Sequence, residues 1–311
     1  MPSESSSAPA AGGTIPGLSR AAYRLRAATG AAIPVLIAVP HAGRAYPPDV
    51  ADRMRHGEAA MHRLEDRHVD AVARAAAAAC GASLLLAEAP RAMIDLNRDT
   101  ADIDTGMFEG PGPSGLRGSF RRGAGHRSAR GLGLFPRRLS GLGELWSQAM
   151  SAQEAERRIS AIHAPYHAAL GSVLRDIAEQ WGGALLIDLH SMPSLPAPKS
   201  GAPAASHVVG DRFGSSCARF LSEAAVGVIE GGGHTCAYNR PYAGGYVLDR
   251  HGAPRAARHA LQIEIDRACY LDADGEIDVE GVARQASTIA DLAHALAALL
   301  MDDLQQRQAA E

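Results

Sequence analysis

Five short apolar runs punctuate the chain, at Ile33 to Val39, Ser83 to Ala87, Ala184 to Leu189, His207 to Val209 and Ala260 to Ile265. The first three are too compact for helices and too uniformly apolar for half-exposed strands, which predicts strands buried on both faces of a largely parallel sheet. Helical patterns fall between them: Asp66 to Ala79, a long or broken stretch from Ser151 to Trp181 with Pro165 inside it, and Arg212 to Ala225. Further on, Val282, Ile289, Leu292, Leu296 and Leu299 make one apolar stripe at helical spacing, expected to pack on the sheet. Strand and helix alternate, which specifies an α/β layer architecture with catalytic groups at the carboxyl ends of the strands.

Two stretches break the pattern. Met1 to Arg20 is rich in Ser, Ala, Pro and Gly, with neither a basic nor an apolar segment of secretory type, and is expected to be a disordered tail ahead of one domain over residues 21–311. Between Asp99 and Gly143, Gly and Pro are frequent, and Arg117, Arg121, Arg122, Arg127, Arg130, Arg137 and Arg138 crowd together. A loop of that length inside a domain is usually functional, so it reads as either a solvated loop or a lid over an anionic substrate.

Composition narrows the class. With 46% hydrophobic and 21% charged residues, the 311-residue chain can bury an ordinary core. A net charge of -3 supplies no field for nucleic acid or an anionic membrane, so neither is an expected partner. No apolar run approaches the roughly 20 residues of a membrane helix. Cys80, Cys217, Cys236 and Cys269 form no CxxC pair, which fits a reducing cytoplasm.

Candidate chemistry lies at the strand ends. Ile33 to Val39 runs straight into Pro40-His41-Ala42-Gly43, and Ala184 to Leu189 into His190-Ser191-Met192, so two imidazoles project into one crevice, where a metal could be shared. A third, carboxylate ligand is then required, and Glu65 and Asp66 are the nearest candidates. Arg91 to Asp99 combines Arg91, Asp95, Asn97 and Arg98 in one loop, either to bind an acidic small molecule or to form an internal salt bridge with Asp95. In Gln262-Ile263-Glu264-Ile265-Asp266 the polar residues share one strand face, and Glu264 could serve as general base if that face lines the crevice. Asn239 to Tyr246 offers glycines for close approach and the phenols of Tyr242 and Tyr246. No HExxH, GxSxG, GxGxxG or P-loop lysine occurs, which removes support for kinase, serine hydrolase and dinucleotide chemistry.

Taken together, these segments resemble the N-formylglutamate amidohydrolase (N-formylglutamate deformylase) family, and more distantly the zinc carboxypeptidase and aspartoacylase group. The resemblance rests on Pro40 to Gly43, Glu65 to Asp70, Ile94 to Arg98, Tyr166-His167, Asp188 to Met192, Asn239 to Tyr246 and Gln262 to Ile265, in that order. It departs from the carboxypeptidase HxxE motif, since Arg44 is the third residue after His41, and Arg67 stands where a tryptophan is expected. The resemblance implies a phosphorylase/hydrolase-like three-layer α/β fold with a mixed, largely parallel sheet, and Zn2+ or another divalent ion on His41, Asp66 and His190. It also implies Glu264 as catalytic glutamate, and Arg91 is expected to help stabilise the oxyanion. Asn97 and Arg98 would hold a substrate carboxylate, helped by Arg137 and Tyr242. The expected reaction is hydrolysis of N-formyl-L-glutamate or a similar small acidic N-acyl amino acid, as in histidine degradation, by a possible homo-oligomer. Another N-acyl or γ-glutamyl amide, or anion binding without catalysis, are the alternatives.

Overall fold

The computed structural model describes residues 10–26, 32–109, 130–199 and 201–309. In chain order the strands are β1 (Ala10–Gly12), β2 (Tyr23–Arg26), β3 (Val35–Val39), β4 (Ser83–Ala87), β5 (Arg138–Leu139), β6 (Gly143–Glu144), β7 (Ala184–Met192), β8 (His207–Gly210), β9 (Cys236–Tyr238) and β10 (Arg258–Asp266). The α-helices are α1 (Pro48–Arg53), α2 (Gly57–Leu64), α3 (Val69–Cys80), α4 (Ala152–Arg158), α5 (Ala164–Trp181), α6 (Arg219–Gly231), α7 (Tyr246–His251) and α8 (Val279–Ala309).

Eight strands form one sheet in the order β1-β2-β4-β3-β7-β10-β8-β9. The centre, β4-β3-β7-β10, is parallel, while β2 and β8 join it antiparallel. From β3 the chain first moves outward to β4 and then returns to the opposite side of β3 with β7, so strand order reverses between β3 and β7. In open α/β sheets such a reversal opens a crevice beyond the carboxyl ends of the two strands.

Helices α3, α6 and α8 cover one face, where Val35, Ile37 and Val39, Leu185, Ile187 and Leu189, and Leu261, Ile263 and Ile265 point. The opposite face carries Leu36, Ala38, Leu186 and Ala260 under α5. Burial on both sides explains why these strands read as continuous apolar runs. Toward their carboxyl ends that second face turns polar, with Asp188 and His190 on β7 in register with Gln262 and Glu264 on β10. All four are buried, so their polar atoms must find partners within the protein.

Four expectations need correction or refinement. Within the expected tail, residues 10–20 are ordered: β1 pairs with β2, and Ile15 is fully buried because it plugs the second core. The third predicted helix begins at Arg219, not Arg212, because Arg212 and Phe213 adopt left-handed backbone and the Asp211 carboxylate accepts from Gly214 N in a turn. The Asp66 helix starts three residues later, at Val69. The stretch from Ser151 runs without a break through α4, a π-helical turn over Ile159–His163 and α5; Pro165 follows the π turn, and the Ala161 carbonyl accepts from Thr14 N at 2.9 Å instead.

The flanks of the arginine-rich stretch are packed, with Leu134 and Phe135 buried and Leu134 N donating to Asp102 O. Arg117, Arg121, Arg122 and Arg127 lie outside the described residues, as do residues 1–9 of the expected tail. No helix among the described residues is long and apolar enough to cross a membrane.

Candidate active site

His41 stands just past the end of β3, and His190 near the end of β7, on the two sides of the crevice. The turn that presents His41 requires glycine at 43, because a Cβ there would lie 2.1 Å from the Ala89 carbonyl oxygen. Asp66 N donates to His41 O at 3.0 Å, which ties the residue ahead of α3 to the same turn. Asp66 Oδ2 then lies 3.0 Å from His190 Nδ1 and 3.6 Å from His41 Nδ1. The three buried residues offer one ligand atom each within 4.8 Å of one another, and no other such group occurs among the described residues. Glu65, the other carboxylate candidate, is buried apart from them, its Oε2 3.8 Å from Arg67.

The far nitrogen of each imidazole is held by a further buried carboxylate. His41 Nε2 donates to Asp95 Oδ1 at 2.7 Å, and His190 Nε2 to Asp188 Oδ2 at 2.9 Å. Placing the protons on Nε2 leaves both Nδ1 lone pairs directed toward Asp66, the arrangement by which carboxylates orient histidine ligands around a metal. Among the described residues Asp188 Oδ1 has no hydrogen-bond partner, an uncompensated acceptor beside the same site. The donor set therefore suits a divalent cation with open positions.

Burial alone would raise the Asp66 carboxyl, but the His190 and His41 imidazoles beside it hold it well below the usual carboxylate range. Burial would likewise raise Asp95, and is outweighed by the nearby charges of Arg91, His41 and Arg98. His190 is pushed well above the ordinary imidazole value: burial opposes this, but Asp188 and Asp66 prevail. Glu264 rises to about 8, first through burial, with Asp66 adding repulsion and His190 opposing it.

A cavity of about 220 Å³ opens over these groups, lined by His41, Asp66 and His190 together with Glu264, Arg91, Asn97, Arg98 and Tyr242. Its lining thus brings together eight of the nine predicted site residues. Arg137 is the exception: it pairs with Asp104 at 2.7 Å and Glu144 at 3.1 Å, bracing the β5–β6 hairpin away from the cavity. Arg91 makes the internal ion pair with Asp95, Nε to Oδ2 at 2.9 Å, while still lining the cavity.

Asn97 and Arg98 are engaged by the fold. Asn97 Nδ2 donates to Gln262 Oε1 at 3.2 Å, and Asn97 Oδ1 accepts from Val247 N at 2.9 Å, an approach allowed by Gly245, whose Cβ would lie 2.6 Å from that oxygen. Arg98 donates to Leu132 O and Asn97 O, and its own carbonyl is 3.0 Å from His163 Nε2. Gln262 Nε2 in turn donates to Glu264 Oε1 at 2.9 Å, which orients the glutamate.

Two arginines not singled out from sequence also line the cavity. Arg267 is consumed by the chain, donating to Glu65 O at 2.6 Å and Ser191 Oγ at 3.1 Å and lying 3.5 Å from Asp66 Oδ1. Arg63, on α2, is exposed at the rim and has no carboxylate partner among the described residues.

Comparison with known proteins places this site in context. Residues 33–271 match the family model described as N-formylglutamate amidohydrolase. Over 246 residues the chain is 30% identical to an N-formylglutamate deformylase of Pseudomonas putida, spanning 77% of this chain and 82% of that protein. A deformylase of the same description from Pseudomonas aeruginosa is 28% identical over 245 residues, 77% of this chain and 83% of that one. Among solved structures, an N-formylglutamate amidohydrolase from Ralstonia eutropha superposes with a TM-score of 0.78 at 30% identity, covering 89% of this chain and 98% of the other. A protein from Agrobacterium tumefaciens, with a TM-score of 0.63 at 18% identity over 91% of this chain and 96% of its own, shares the fold.

Proposed function

The chain belongs to the N-formylglutamate amidohydrolase family, and from that premise we propose that it is a zinc-dependent deformylase converting N-formyl-L-glutamate and water to formate and glutamate. The observation that carries the metal dependence is the convergence of His41 and His190 Nδ1 on Asp66, with Asp95 and Asp188 behind the rings. A divalent cation on these three side chains supplies Lewis acidity toward the formyl oxygen and a water acidified to a pKa of about 7. Zinc is favoured by two imidazoles and one carboxylate.

The chain's own groups carry the proton and the charge. Glu264, beside His190 on the adjacent strand, accepts the proton of the attacking water and returns it to the nitrogen as the C–N bond breaks and the C–O bond is retained. Burial raises its carboxyl above the ordinary glutamate range, toward the region where one group can both take up and release a proton. Arg91, held by Asp95, directs positive charge into the cavity where the oxyanion develops. Arg63 at the rim meets a substrate carboxylate, and Tyr242 lines the same opening. Asn97 fixes the first turn of α7, behind the Tyr242 to Gly245 segment that lines the pocket.

Purified protein should contain about one zinc per chain and release formate from N-formyl-L-glutamate. Chelation should abolish turnover, and zinc should restore it. Formate release that survives complete metal removal overturns the metal dependence; zinc binding without formate release from any acidic N-formyl amino acid overturns the substrate.

A further inference from the structure

On the same side of the sheet as α5, a second cavity of about 370 Å³ lies between α5, α7 and the start of β10. It is several times the roughly 30 Å³ that one water occupies in the liquid. Three guanidiniums line it, from Arg175 on α5, Arg250 on α7 and Arg258 at the first residue of β10, and no carboxylate does. Arg250 donates to Tyr246 Oη and its guanidinium lies 5.7 Å from that ring's centroid. Arg175 and Arg258 have no ion-pair partner among the described residues. Arg175 and Arg250 are exposed and Arg258 is half-buried, so the pocket presents positive charge to solvent with no carboxylate in its lining, a field that favours an anion there.

The proton positions on the histidines of this cavity are set by their partners. His167 Nε2 lies 2.9 Å from Leu96 O, an acceptor only, so Nε2 carries the proton and His167 Nδ1 is a lone pair. His251 Nε2, 3.0 Å away, must then be the donor to His167 Nδ1. That fixes His251 Nδ1 as the free nitrogen, and it lies 3.8 Å from the position a Cβ on Gly171 would take. Arg175 Nη1 is 3.6 Å from the same point. Gly171 sits inside α5, where glycine costs about 1 kcal/mol relative to alanine. Its missing side chain leaves the helix surface bare beneath the arginines and His251.

We propose that this pocket between α5 and α7 binds a small phosphate-type oxyanion, inorganic phosphate or a phosphate monoester. The three guanidiniums provide charge-assisted donors for such a group. Occupancy would clamp α5 to α7, whose Val247 N is held by Asn97 Oδ1, while His167 grips Leu96 O one residue earlier. The site is separate from the formyl-hydrolysing cavity, with which it shares no lining residue.

The test is calorimetric titration of the zinc-loaded protein with inorganic phosphate and, separately, glycerol phosphate, at ionic strength fixed with chloride, alongside thermal unfolding. Saturable binding and a raised Tm are expected, with binding weakened about tenfold or more in the Arg175→Gln/Arg258→Gln variant. Gly171→Leu, which fills the pocket while improving helix propensity, should abolish it. Tighter binding of the monoester would assign the site to a phosphorylated metabolite, and equal or tighter binding of phosphate to the free ion. No saturable binding of either, or binding unchanged in both variants, overturns the proposal.

Discussion

Asp95 accepts from His41 Nε2 through one oxygen at 2.7 Å and from Arg91 Nε through the other at 2.9 Å, so a single buried carboxylate orients a metal-site imidazole and a cavity guanidinium together. Asp95→Asn preserves the shape but removes the charge that fixes both. Loss of such a partner behind a ligand typically costs 10–100-fold in metal affinity. Zinc affinity measured by chelator competition should fall within about that range. An unchanged affinity would mean that the Asp95 contact does not set the His41 donor.

Glu264 makes a separate prediction, because it lies outside the three-residue group and contacts Gln262 instead. Glu264→Ala should keep the zinc but lose turnover by about 10² or more, the scale of an acid/base group. Zinc content by elemental analysis and kcat from formate release separate the two effects. Near-normal kcat in this variant would remove Glu264 from proton transfer.

Arg63 reaches the cavity from an exposed rim position without a carboxylate partner among the described residues, so its charge is available to substrate. Arg63→Gln should raise KM for N-formyl-L-glutamate by about tenfold while leaving kcat little changed, the value of one charge-assisted contact. N-formyl-L-norvaline, which lacks the side-chain carboxylate, should show a much smaller change. Equal effects on both substrates would place Arg63 on the α-carboxylate or in a general field.

What could be read in advance followed from burial. Strands β3, β4, β7 and β10 are enclosed on both faces, and their apolar runs stand out without regard to any contact. His41, His190 and Glu264 were legible for a related reason, as polar groups where such runs end or alternate. Asp188 was the missed signal: a carboxylate between Ile187 and Leu189 in a buried strand must have a partner, and two residues on stands His190. Arg63 and Arg267 left no comparable trace, since they reach the cavity from α2 and the turn after β10 through packing that no local pattern encodes. Arg137 shows the converse. Its place in an arginine-rich run suggested substrate, yet Asp104 and the β6 residue Glu144 take up its charge.

Part of the acid sensitivity should arise away from the cavity, at His207. This imidazole is fully buried on β8, with Nε2 2.9 Å from Gln285 Oε1 on α8 and Nδ1 3.0 Å from Ser206 Oγ. Burial and the neighbouring His234 ring push it down to about 4, against roughly 6.5 in an unfolded chain. Between those values the unfolded state binds more protons than the folded one, so stability rises with pH. The contribution is complete above about pH 6.5 and is lost as pH falls toward 4. For a two-state transition this one group makes the protein about 2 kcal/mol less stable at pH 5 than at pH 7. His207→Asn keeps a neutral polar side chain beside Gln285 and removes the titration. Urea unfolding at the two pH values should show a difference smaller by about that amount in the variant, whatever its absolute stability. An identical pH dependence in both proteins would assign the acid sensitivity to other groups.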